Sequence, residues 1–522
     1  MGAGLVRDAA AVGRGENGGA VPVRGALPER TGDAPAASPP NDGNGAHPTT
    51  GRLAQRVLSG GIVGGARFEA HVAVADFARI GYYQRPIVAH PGATPAANTT
   101  PNRPRFATAP PREDHALPLT IEAVAPRVLR LRFGPRSEPT GILLDPEPAA
   151  LPLAGREIEG VWTLSTGEAT VTLDADPFRL RVDVPGGPGF ALAHHDRDVF
   201  GHLVTPPLAT LDAPTGPRTM VAWALGPAER LYGMGERFAA FDQRGRRVVD
   251  WATDAWGTTT EAAYKGCPLV CSSAGYAVFA HTTARVEADL GATSGAACSL
   301  AVDEPGLDLF LFLGPDLKAV LREYTALTGR MPMPPRWAFG LWMSRCRYET
   351  RAEVEAVVAR MDEEEIPLDV VNLDPAWLRT PALNCDFVWD EEAFPDAEGM
   401  IRDLRARGVR TCLWEVPYLA EGTALHAEAR ERGFLLRRTD GEPVSTLDGA
   451  FLPELRRGLV DFTNPPAVAW WQEKHADLLA MGVAAFKTDF GEAVPPDAVG
   501  ASGLDGRRLR NLYPLLYNRT VW

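Results

Sequence analysis

The feature that most constrains the fold is an alternation of strand-like and helix-like segments in the second half of the chain. Short apolar runs of strand length alternate there with longer segments in which apolar residues recur at helical spacing. Parallel strands are usually joined by helices, so the alternation predicts a parallel sheet covered by helices. The predicted strands are residues 337–343, 368–374, 410–418 and 483–489, and the predicted helices are residues 350–367, 396–409, 465–482 and 509–522.

The first half of the chain carries the pattern of antiparallel β structure. Between residues 115 and 325, short runs of alternating polar and apolar residues are separated by turn residues, which favours an antiparallel sandwich. A helix is predicted at residues 315–329, where apolar residues recur at helical spacing before Gly329. Residues 1–55 are rich in Gly, Ala and Pro and are predicted to be a disordered tail, and residues 90–111 a loop or linker.

Composition and motif spacing argue against several classes of function. The net charge is −13 and basic residues are not clustered, which argues against nucleic-acid binding. We find no apolar run of the roughly 18 residues that a membrane span needs, and the N-terminus lacks a hydrophobic signal core. The six cysteines lack metal-site spacing and are expected to be reduced thiols of a cytoplasmic protein. His426 and His475 lack an HxxxH or HxH partner and no GxGxxG follows a strand, so no metal and no cofactor is expected.

Polar and aromatic residues lie where the predicted strands end. Asp374 ends the second strand, Trp414 lies near the end of the third, and Lys487 and Asp489 lie at the end of the fourth. The carboxyl ends of parallel strands share one edge, where both barrels and doubly wound sheets bind ligands. Lys487 and Asp489 are two residues apart, so they lie on the same side of a strand. A neighbouring ammonium favours an ionised carboxylate, the state that a nucleophile needs.

Each of these residues also has a structural interpretation. Asp489 has the chemistry of a nucleophile, a general base or a metal ligand, and equally that of one partner in a structural Lys–Asp pair. Asp374 either bonds a polyhydroxylated ligand or anchors a loop. Trp414 either stacks on a sugar ring or packs in the core. Trp342, Trp377 and Trp389 enrich the same half of the chain in aromatic residues and weakly favour carbohydrate.

At these residues the sequence resembles glycoside hydrolase family 31, and within it the bacterial α-xylosidase-like branch. The resemblance runs from about residue 115 to residue 522. It implies a multidomain β plus α/β fold, with an N-terminal antiparallel β-sandwich followed by a (β/α)8 TIM barrel. The motifs that carry it are LYGMGERF (231–238), TTTEAAYKGCPL (258–269), PPRWAFGLWMS (334–344), the segment 385–418, VDFTNP (460–465) and AFKTDFGEAVP (485–495).

The resemblance also implies limits for the domains. Residues 1–55 would be the tail, residues 56–325 the β-sandwich domain, and residues 326–522 the first half of an incomplete catalytic barrel. Half a barrel would leave an unpaired sheet edge, so poor solubility is expected.

The resemblance further implies a retaining glycosidase that removes terminal α-linked xylose or glucose through a covalent glycosyl-enzyme. Asp489 matches the catalytic nucleophile, and Lys487, Asp374 and Trp414 match residues that contact the sugar. Asp254 matches, more loosely, a residue on a sandwich loop that reaches the site. The second carboxyl of a retaining enzyme, its acid/base, would follow Trp522, so it is not expected in this chain.

Two departures from the family pattern bear on the choice of sugar. Arg347 lies where xylosidase-like members tend to carry an aromatic residue, and the segment Pro375-Ala376-Trp377 after Asp374 also differs from the pattern. The alternatives are a catalytically inactive truncated family member and an α-transglycosylase that uses the same nucleophile. The expected partner is a carbohydrate substrate, with no nucleic acid and no membrane, and the sequence leaves room for a homo-oligomer.

Overall fold

The structure is a computed structural model that describes most of the chain from residue 56 to residue 522. The described residues are 56–73, 75–76, 116–135, 140–144, 149–193, 207–213, 216–254, 261–379, 384–447 and 456–522. They belong to one compact unit, Gly51–Trp522. The predicted tail at residues 1–55 and the predicted loop at residues 90–111 lie outside the described residues.

The described part of the first half forms three sheets. The strands are β1 (Val57–Val63), β2 (Arg67–Ala73), β3 (Ala75–Asp76), β4 (Ala116–Ala125), β5 (Val128–Phe133), β6 (Ala154–Ile158), β7 (Val161–Ser165), β8 (Thr170–Ala175), β9 (Phe178–Asp183), β10 (Gly189–Ala191), β11 (Leu208–Ala213), β12 (Gly216–Ala224), β13 (Leu231–Gly233), β14 (Arg247–Asp250), β15 (Leu269–Ser272), β16 (Tyr276–Ala280), β17 (Val286–Asp289), β18 (Ala297–Val302) and β19 (Leu307–Leu313). Their orders are β1-β2-β4-β5-β19-β16-β15-β13, β14-β17-β18-β12-β11-β3 and β10-β9-β8-β7-β6. The pairings are antiparallel except that of β11 with β3.

The alternating sequence pattern explains why these strands share one core. In β9, Phe178, Leu180 and Val182 are buried, whereas the arginines between them are exposed. The apolar residues of the three sheets meet in one cluster, which includes Phe68 of β2 and Trp223 of β12. Each fully buried side chain of this size contributes about 1.5–3 kcal/mol, so the shared core explains why the sheets pack together.

Helix α1 (Leu317–Thr328) covers the largest sheet and confirms the predicted helix at residues 315–329. It begins at Asp316, whose side chain accepts a hydrogen bond from the Ala319 amide at 2.8 Å. Tyr324 packs edge-on against Phe279 of β16, with the ring centroids 5.2 Å apart.

The second half forms a parallel sheet of four strands among the described residues, in the order β20-β21-β22-β27. The predicted alternation of strands and helices is therefore present. The elements after α1 are β20 (Trp342–Arg345), α2 (Arg351–Glu363), β21 (Val370–Leu373), α3 (Ala397–Ala406), β22 (Arg410–Glu415), β23 (Tyr418–Ala420), α4 (Ala424–Glu431), β24 (Arg437–Arg438), β25 (Thr446–Leu447), β26 (Arg456–Leu459), α5 (Pro465–Met481), β27 (Ala485–Thr488), β28 (Ala498–Val499) and α6 (Gly506–Val521).

One predicted strand differs from the structure. Residues 337–343 were expected to form a buried strand, but Arg336–Phe339 forms a 3-10 turn and the strand begins only at Trp342. After the turn, Asp369 accepts a hydrogen bond from the Leu341 amide at 3.1 Å, so this amide bonds to a side chain and not to the backbone of a neighbouring strand. Within the described residues β20 pairs with β21 alone, so it is an edge strand and its side chains are largely exposed.

The remaining differences are smaller. The run 410–418 is broken into β22 and β23, and α6 begins at Gly506, three residues before its predicted start, where Asp505 caps it. Within the described ranges, no helix combines the length and the apolar character that a membrane crossing requires. The domain limits 56–325 and 326–522 stay a prediction.

Candidate active site

Four of the five residues singled out from the sequence meet at the carboxyl ends of the parallel strands. Lys487 lies between two carboxylates, with its Nζ 3.0 Å from Asp374 Oδ1 and 3.4 Å from Asp489 Oδ2. Trp414 donates a hydrogen bond from its Nε1 to Asp489 Oδ2 at 2.8 Å. The expectation that Lys487 and Asp489 lie on the same side of their strand therefore agrees with their contact in the structure.

The Asp489 carboxylate is held at both oxygens. Its Oδ1 accepts a hydrogen bond from the Phe490 amide at 3.0 Å, and its Oδ2 accepts those of Trp414 and Lys487. Its own amide donates to the Glu415 carbonyl at 2.9 Å, so the backbone is fixed as well. The side chain is 36% exposed. Because each carboxylate oxygen has two lone pairs, an oriented and accessible carboxylate can still attack a bound carbon.

Lys487 keeps its positive charge in this cluster. Burial lowers the pKa of Lys487, but its bonds with Asp374 and Asp489 outweigh that effect, and the pKa lies above its ordinary value. The ammonium thus balances two nearby carboxylates, which would otherwise repel each other.

Asn372 extends the cluster along β21, although sequence patterns did not single it out. Its Nδ2 donates to Asp374 Oδ1 at 3.1 Å and to Ser344 Oγ at 2.9 Å. It precedes Asp374 by two residues, so the period of a strand places both side chains on the same face. The two-residue period of a strand was therefore the sequence signal from which Asn372 could have been assigned to the site.

Three of the tryptophans make contacts within the fold rather than a hydrogen bond with Asp489. Trp377 and Trp389 are buried against each other, with ring centroids 4.9 Å apart, and Trp377 donates from Nε1 to the Trp414 carbonyl at 3.0 Å. Trp342 lies on the edge strand β20 and donates to the Ala338 carbonyl. Trp414 itself is only 2% exposed, and it contacts Asp489 through the edge of the indole.

The loop that follows Asp489 is held by Tyr418, another residue that sequence patterns did not single out. The Tyr418 hydroxyl accepts hydrogen bonds from the Gly491 amide at 2.9 Å and the Ala493 amide at 3.3 Å. Gly491 has a φ of 115°, a conformation that favours glycine, so the turn depends on that residue. The Arg457 guanidinium lies over the Tyr418 ring at 4.8 Å.

Glu492 is a buried carboxyl beside the cluster. Burial, together with the negative charges of Asp254 and Asp489, raises the pKa of Glu492 to about 8, although Lys265 opposes the shift. At neutral pH the group is therefore mostly protonated, which limits the negative charge around Asp489.

We expect Glu492 to make the protein less stable as the pH rises. Since its pKa is about 8 in the fold and near 4.5 ordinarily, the folded state binds more protons than the unfolded state between these values. Stability then falls through that window by at most about 1.4 kcal/mol per pH unit. Urea denaturation from pH 5 to pH 9 should show this slope reduced in Glu492→Gln. The exposed Glu473→Gln on α5 is the control, and an equal slope in Glu492→Gln would contradict the assignment.

Asp254 belongs to a loop that helix α6 fixes. Asn511 of α6 accepts a hydrogen bond from the Ala252 amide at 2.7 Å, and Arg510 donates to the Ala252 carbonyl at 2.6 Å. The loop follows β14 of the sandwich and brings Asp254 close enough for its charge to act on Glu492. The sandwich thus supplies an acidic residue next to the buried carboxyl that follows Asp489.

The described residues give little support to metal or thiol chemistry. No group of three or more His, Cys, Asp or Glu side chains in the described ranges is arranged to hold a metal ion. The six cysteines are free thiols. Burial raises the pKa of Cys271 and of Cys412 to about 12, which makes these thiols poor nucleophiles.

Comparison with protein-family models gives two matches. Residues 331–522 match the glycosyl hydrolases family 31 TIM-barrel domain, and residues 118–289 match the glycosyl hydrolase 31 N-terminal galactose mutarotase-like domain. These matches confirm the predicted fold class, a β domain followed by a barrel domain.

Comparison with characterised proteins gives relatives of greater length. The alpha-xylosidase XylQ of Lactiplantibacillus pentosus is 39% identical over 303 residues, which are 57% of this chain and 39% of that protein. An alpha-xylosidase of Emericella nidulans is 33% identical over 58% of this chain and 39% of its own length. A Flavobacterium johnsoniae GH31 dextranase, complexed with glucose, has a TM-score of 0.69 at 21% identity, covering 78% of this chain and 50% of that chain. The matched region thus spans about two fifths of the length of each of these two alpha-xylosidases.

Proposed function

Because the chain belongs to glycoside hydrolase family 31, in its α-xylosidase-like branch, we propose that it carries the nucleophile of a retaining α-glycosidase. The proposed substrate has a terminal α-linked xylose, with glucose as the alternative. The observation that carries the proposal is the contact of Asp489 with Trp414 and Lys487 at the strand ends.

The proposed first step is an attack by Asp489 on the anomeric carbon. One Asp489 oxygen forms an ester bond with C1, the glycosidic C–O bond breaks, and its electron pair leaves with the departing oxygen. Lys487 and Trp414 keep the carboxylate oriented before the attack. In this proposal Asp374 accepts hydrogen bonds from sugar hydroxyls, and Asp254 contributes from the sandwich side.

The second step is hydrolysis of the ester by water. It needs a general base, and the first step needs a general acid wherever the leaving group is a poor one. The resemblance assigns both tasks to one aspartate on a later segment of the barrel. A leaving group such as fluoride departs without being protonated, so the attack of Asp489 can be studied by itself.

The test is covalent trapping of this chain with a 5-fluoro-α-xylosyl fluoride. Fluorine at C5 slows both steps, while the fluoride leaving group restores the first, so the glycosyl-enzyme should accumulate. Intact mass spectrometry should show one added sugar, and peptide mapping should locate it on Asp489. The corresponding glucosyl fluoride, run in parallel, compares the two sugars. A label on any other residue, or no label with either sugar, would overturn the proposal.

The alternatives stated from the sequence have distinct outcomes in the same experiment. A catalytically inactive chain would not be labelled. A transglycosylase would be labelled, and a labelled chain given an acceptor sugar would release a new disaccharide rather than the free sugar. A cytoplasmic location and a homo-oligomer stay predictions.

A further inference from the structure

A buried trio behind the candidate site has no part in the steps above. Glu415 ends β22, His475 lies on α5 and Tyr517 lies on α6, and all three side chains are buried. His475 Nε2 lies 2.6 Å from Glu415 Oε2, and the Tyr517 hydroxyl donates to Glu415 Oε1 at 2.9 Å. Both oxygens of a buried carboxyl therefore have partners, and the partners come from two different helices.

The arrangement fixes one proton of His475. His475 Nδ1 lies 2.9 Å from the Trp471 carbonyl, which can only accept, so Nδ1 carries a proton. The ring of His475 is enclosed by aromatic edges, with centroids 4.7 Å from Phe486 and 5.1 Å from Phe387. Breaking either hydrogen bond would leave a buried polar group without its partner, which costs free energy. The three side chains are therefore held in one geometry.

The trio is directly connected to Asp489. The Glu415 carbonyl accepts the Asp489 amide at 2.9 Å, and the preceding residue, Trp414, donates to Asp489 Oδ2 at 2.8 Å. Residues 414 and 415 therefore make two of the hydrogen bonds that orient Asp489. The side chain of Glu415 anchors this two-residue segment to α5 and α6.

We propose that Glu415, clamped by His475 and Tyr517, is a positioning residue for the Asp489 carboxylate. It acts through the backbone and the indole of the neighbouring residue and does not touch substrate. The inference rests on the proposed function, since it assumes that Asp489 is the nucleophile.

The protonation of His475 gives the trio a pH dependence. Burial lowers the pKa of His475, but the hydrogen bond and charge of Glu415 and the Trp471 carbonyl outweigh it, so the pKa is raised above 6.5. The other titratable groups of this cluster are Tyr517 on α6 and Cys385, and burial together with the charge of Glu415 raises the pKa of both. Above the pKa of His475, Nε2 loses its proton and faces the carboxylate as a second acceptor. The clamp is therefore present at lower pH and opens as the pH rises through that value.

The test measures the rate of covalent labelling by the 5-fluoro-α-xylosyl fluoride at saturation. Displacement of a reacting group by about 1 Å costs on the order of 100-fold in rate, so Glu415→Gln and His475→Gln should slow the maximal rate 10-fold to 100-fold. The concentration that gives half the maximal rate should change little, because sugar binding is left intact. Tyr517→Phe removes a single hydroxyl and should have a smaller effect in the same direction. The matched control is His281→Gln, another buried histidine beside a carboxylate, which lies in the sandwich.

The pH profile separates positioning from general destabilisation. The wild-type labelling rate should fall on the alkaline side with a midpoint above pH 6.5, and the part of this fall that comes from His475 should be absent in His475→Gln, whose amide does not titrate. Glu492, with a pKa of about 8, titrates in both proteins, so the comparison of the two profiles isolates His475. A variant that is merely less stable would keep the wild-type profile.

A second measurement does not depend on labelling. The Trp414 indole N–H, identified by its loss in Trp414→Phe, should shift in the ¹H–¹⁵N spectrum of Asp489→Asn and also in that of Glu415→Gln. A chain that is not labelled would defeat the proposed function, and the indole signal would still decide the positioning role. An unchanged rate and an unchanged indole signal in folded Glu415→Gln and Tyr517→Phe would overturn the positioning role.

Discussion

Replacing Asp489 with asparagine is expected to abolish covalent labelling by the activated fluorosugar, with a loss on the order of 10⁴-fold or more. The amide keeps the size of the carboxylate but supplies no anionic oxygen to bond to C1. The fold should persist, since the side chain is 36% exposed and lies at the end of a strand. Labelling followed by intact mass spectrometry measures the effect, and the melting curve confirms that the variant is folded.

Chemical rescue makes the same prediction more specific. In Asp489→Gly the space left by the side chain can admit azide, which would attack C1 of an α-xylosyl fluoride from the face that the carboxylate occupied. The product should then be the β-xylosyl azide, formed by a single inversion. The exposed Asp477→Asn on α5 is the control and should label normally. Normal labelling of Asp489→Asn, or rescue that yields an α-azide, would mean that another residue is the nucleophile.

Much of the parallel half could be predicted because its segments obey local rules. Strand β27 begins within the apolar run 483–486, helix α5 begins with two prolines and ends at Gly482, and Thr350 and Asp396 cap the helices that they precede. The edge strand β20 could not be predicted in the same way. Its limits depend on Asp369, a residue on a different segment, and periodicity carries no information about such a contact.

The residues of the candidate site likewise fall into those that local sequence rules could bring together and those that they could not. Asp374, Lys487 and Asp489 could be brought together from the sequence, since residues at the ends of neighbouring parallel strands share an edge. Tyr418 and His475 could not, because their roles come from contacts with residues 73 and 60 positions away in the chain. His475 shows the limit most clearly. Its lack of a metal-ligand motif was the only signal in the sequence, whereas its function depends on a buried carboxylate of another element.

Local sequence patterns also could not predict how the parallel half of the chain is attached to the sandwich. Asn511 donates from Nδ2 to the carbonyls of Asp250 and Ala284, both at 3.3 Å, and accepts the Ala252 amide. One amide side chain of α6 thus bonds to three backbone groups of the sandwich. The motif around Asp254 indicated that this loop approaches the site, but only the fold shows which helix holds it.

The largest expected loss of stability is at Asp308, in the core of the sandwich. Asp308 accepts hydrogen bonds from Arg130, at 2.8 Å from Nε and 2.5 Å from Nη2, and its Oδ2 lies 3.0 Å from His281 Nδ1. Replacement by alanine leaves a buried guanidinium without its carboxylate, so we expect the free energy of unfolding to fall by about 3–5 kcal/mol. Urea denaturation measures the loss in the free energy of unfolding, and hydrogen exchange of the β19 amides shows whether the loss is located at the strand that carries Asp308.

The pH dependence of that loss follows from the charge pair. Burial raises the pKa of Asp308, but the bonds from Arg130 and His281 outweigh it, and the pKa lies below its ordinary value. The carboxylate therefore stabilises the fold above about pH 4, and this contribution is lost as the pH falls through its folded pKa. Asp308→Asn should lack this part of the acid sensitivity.

Two control variants show whether the effect comes from a buried guanidinium that has lost its carboxylate. Glu168→Ala removes an exposed partner of Arg127, 2.7 Å away, and should cost less than about 1 kcal/mol. Arg130→Met combined with Asp308→Leu removes both charges and should recover most of the stability, since an apolar pair can fill the same space. A double variant as unstable as Asp308→Ala would assign the loss to packing, and a single variant as stable as Glu168→Ala would show that water reaches Arg130. If only the double variant recovers stability, the sandwich needs the Arg130 charge to be balanced by Asp308, but it does not need the two charged groups themselves.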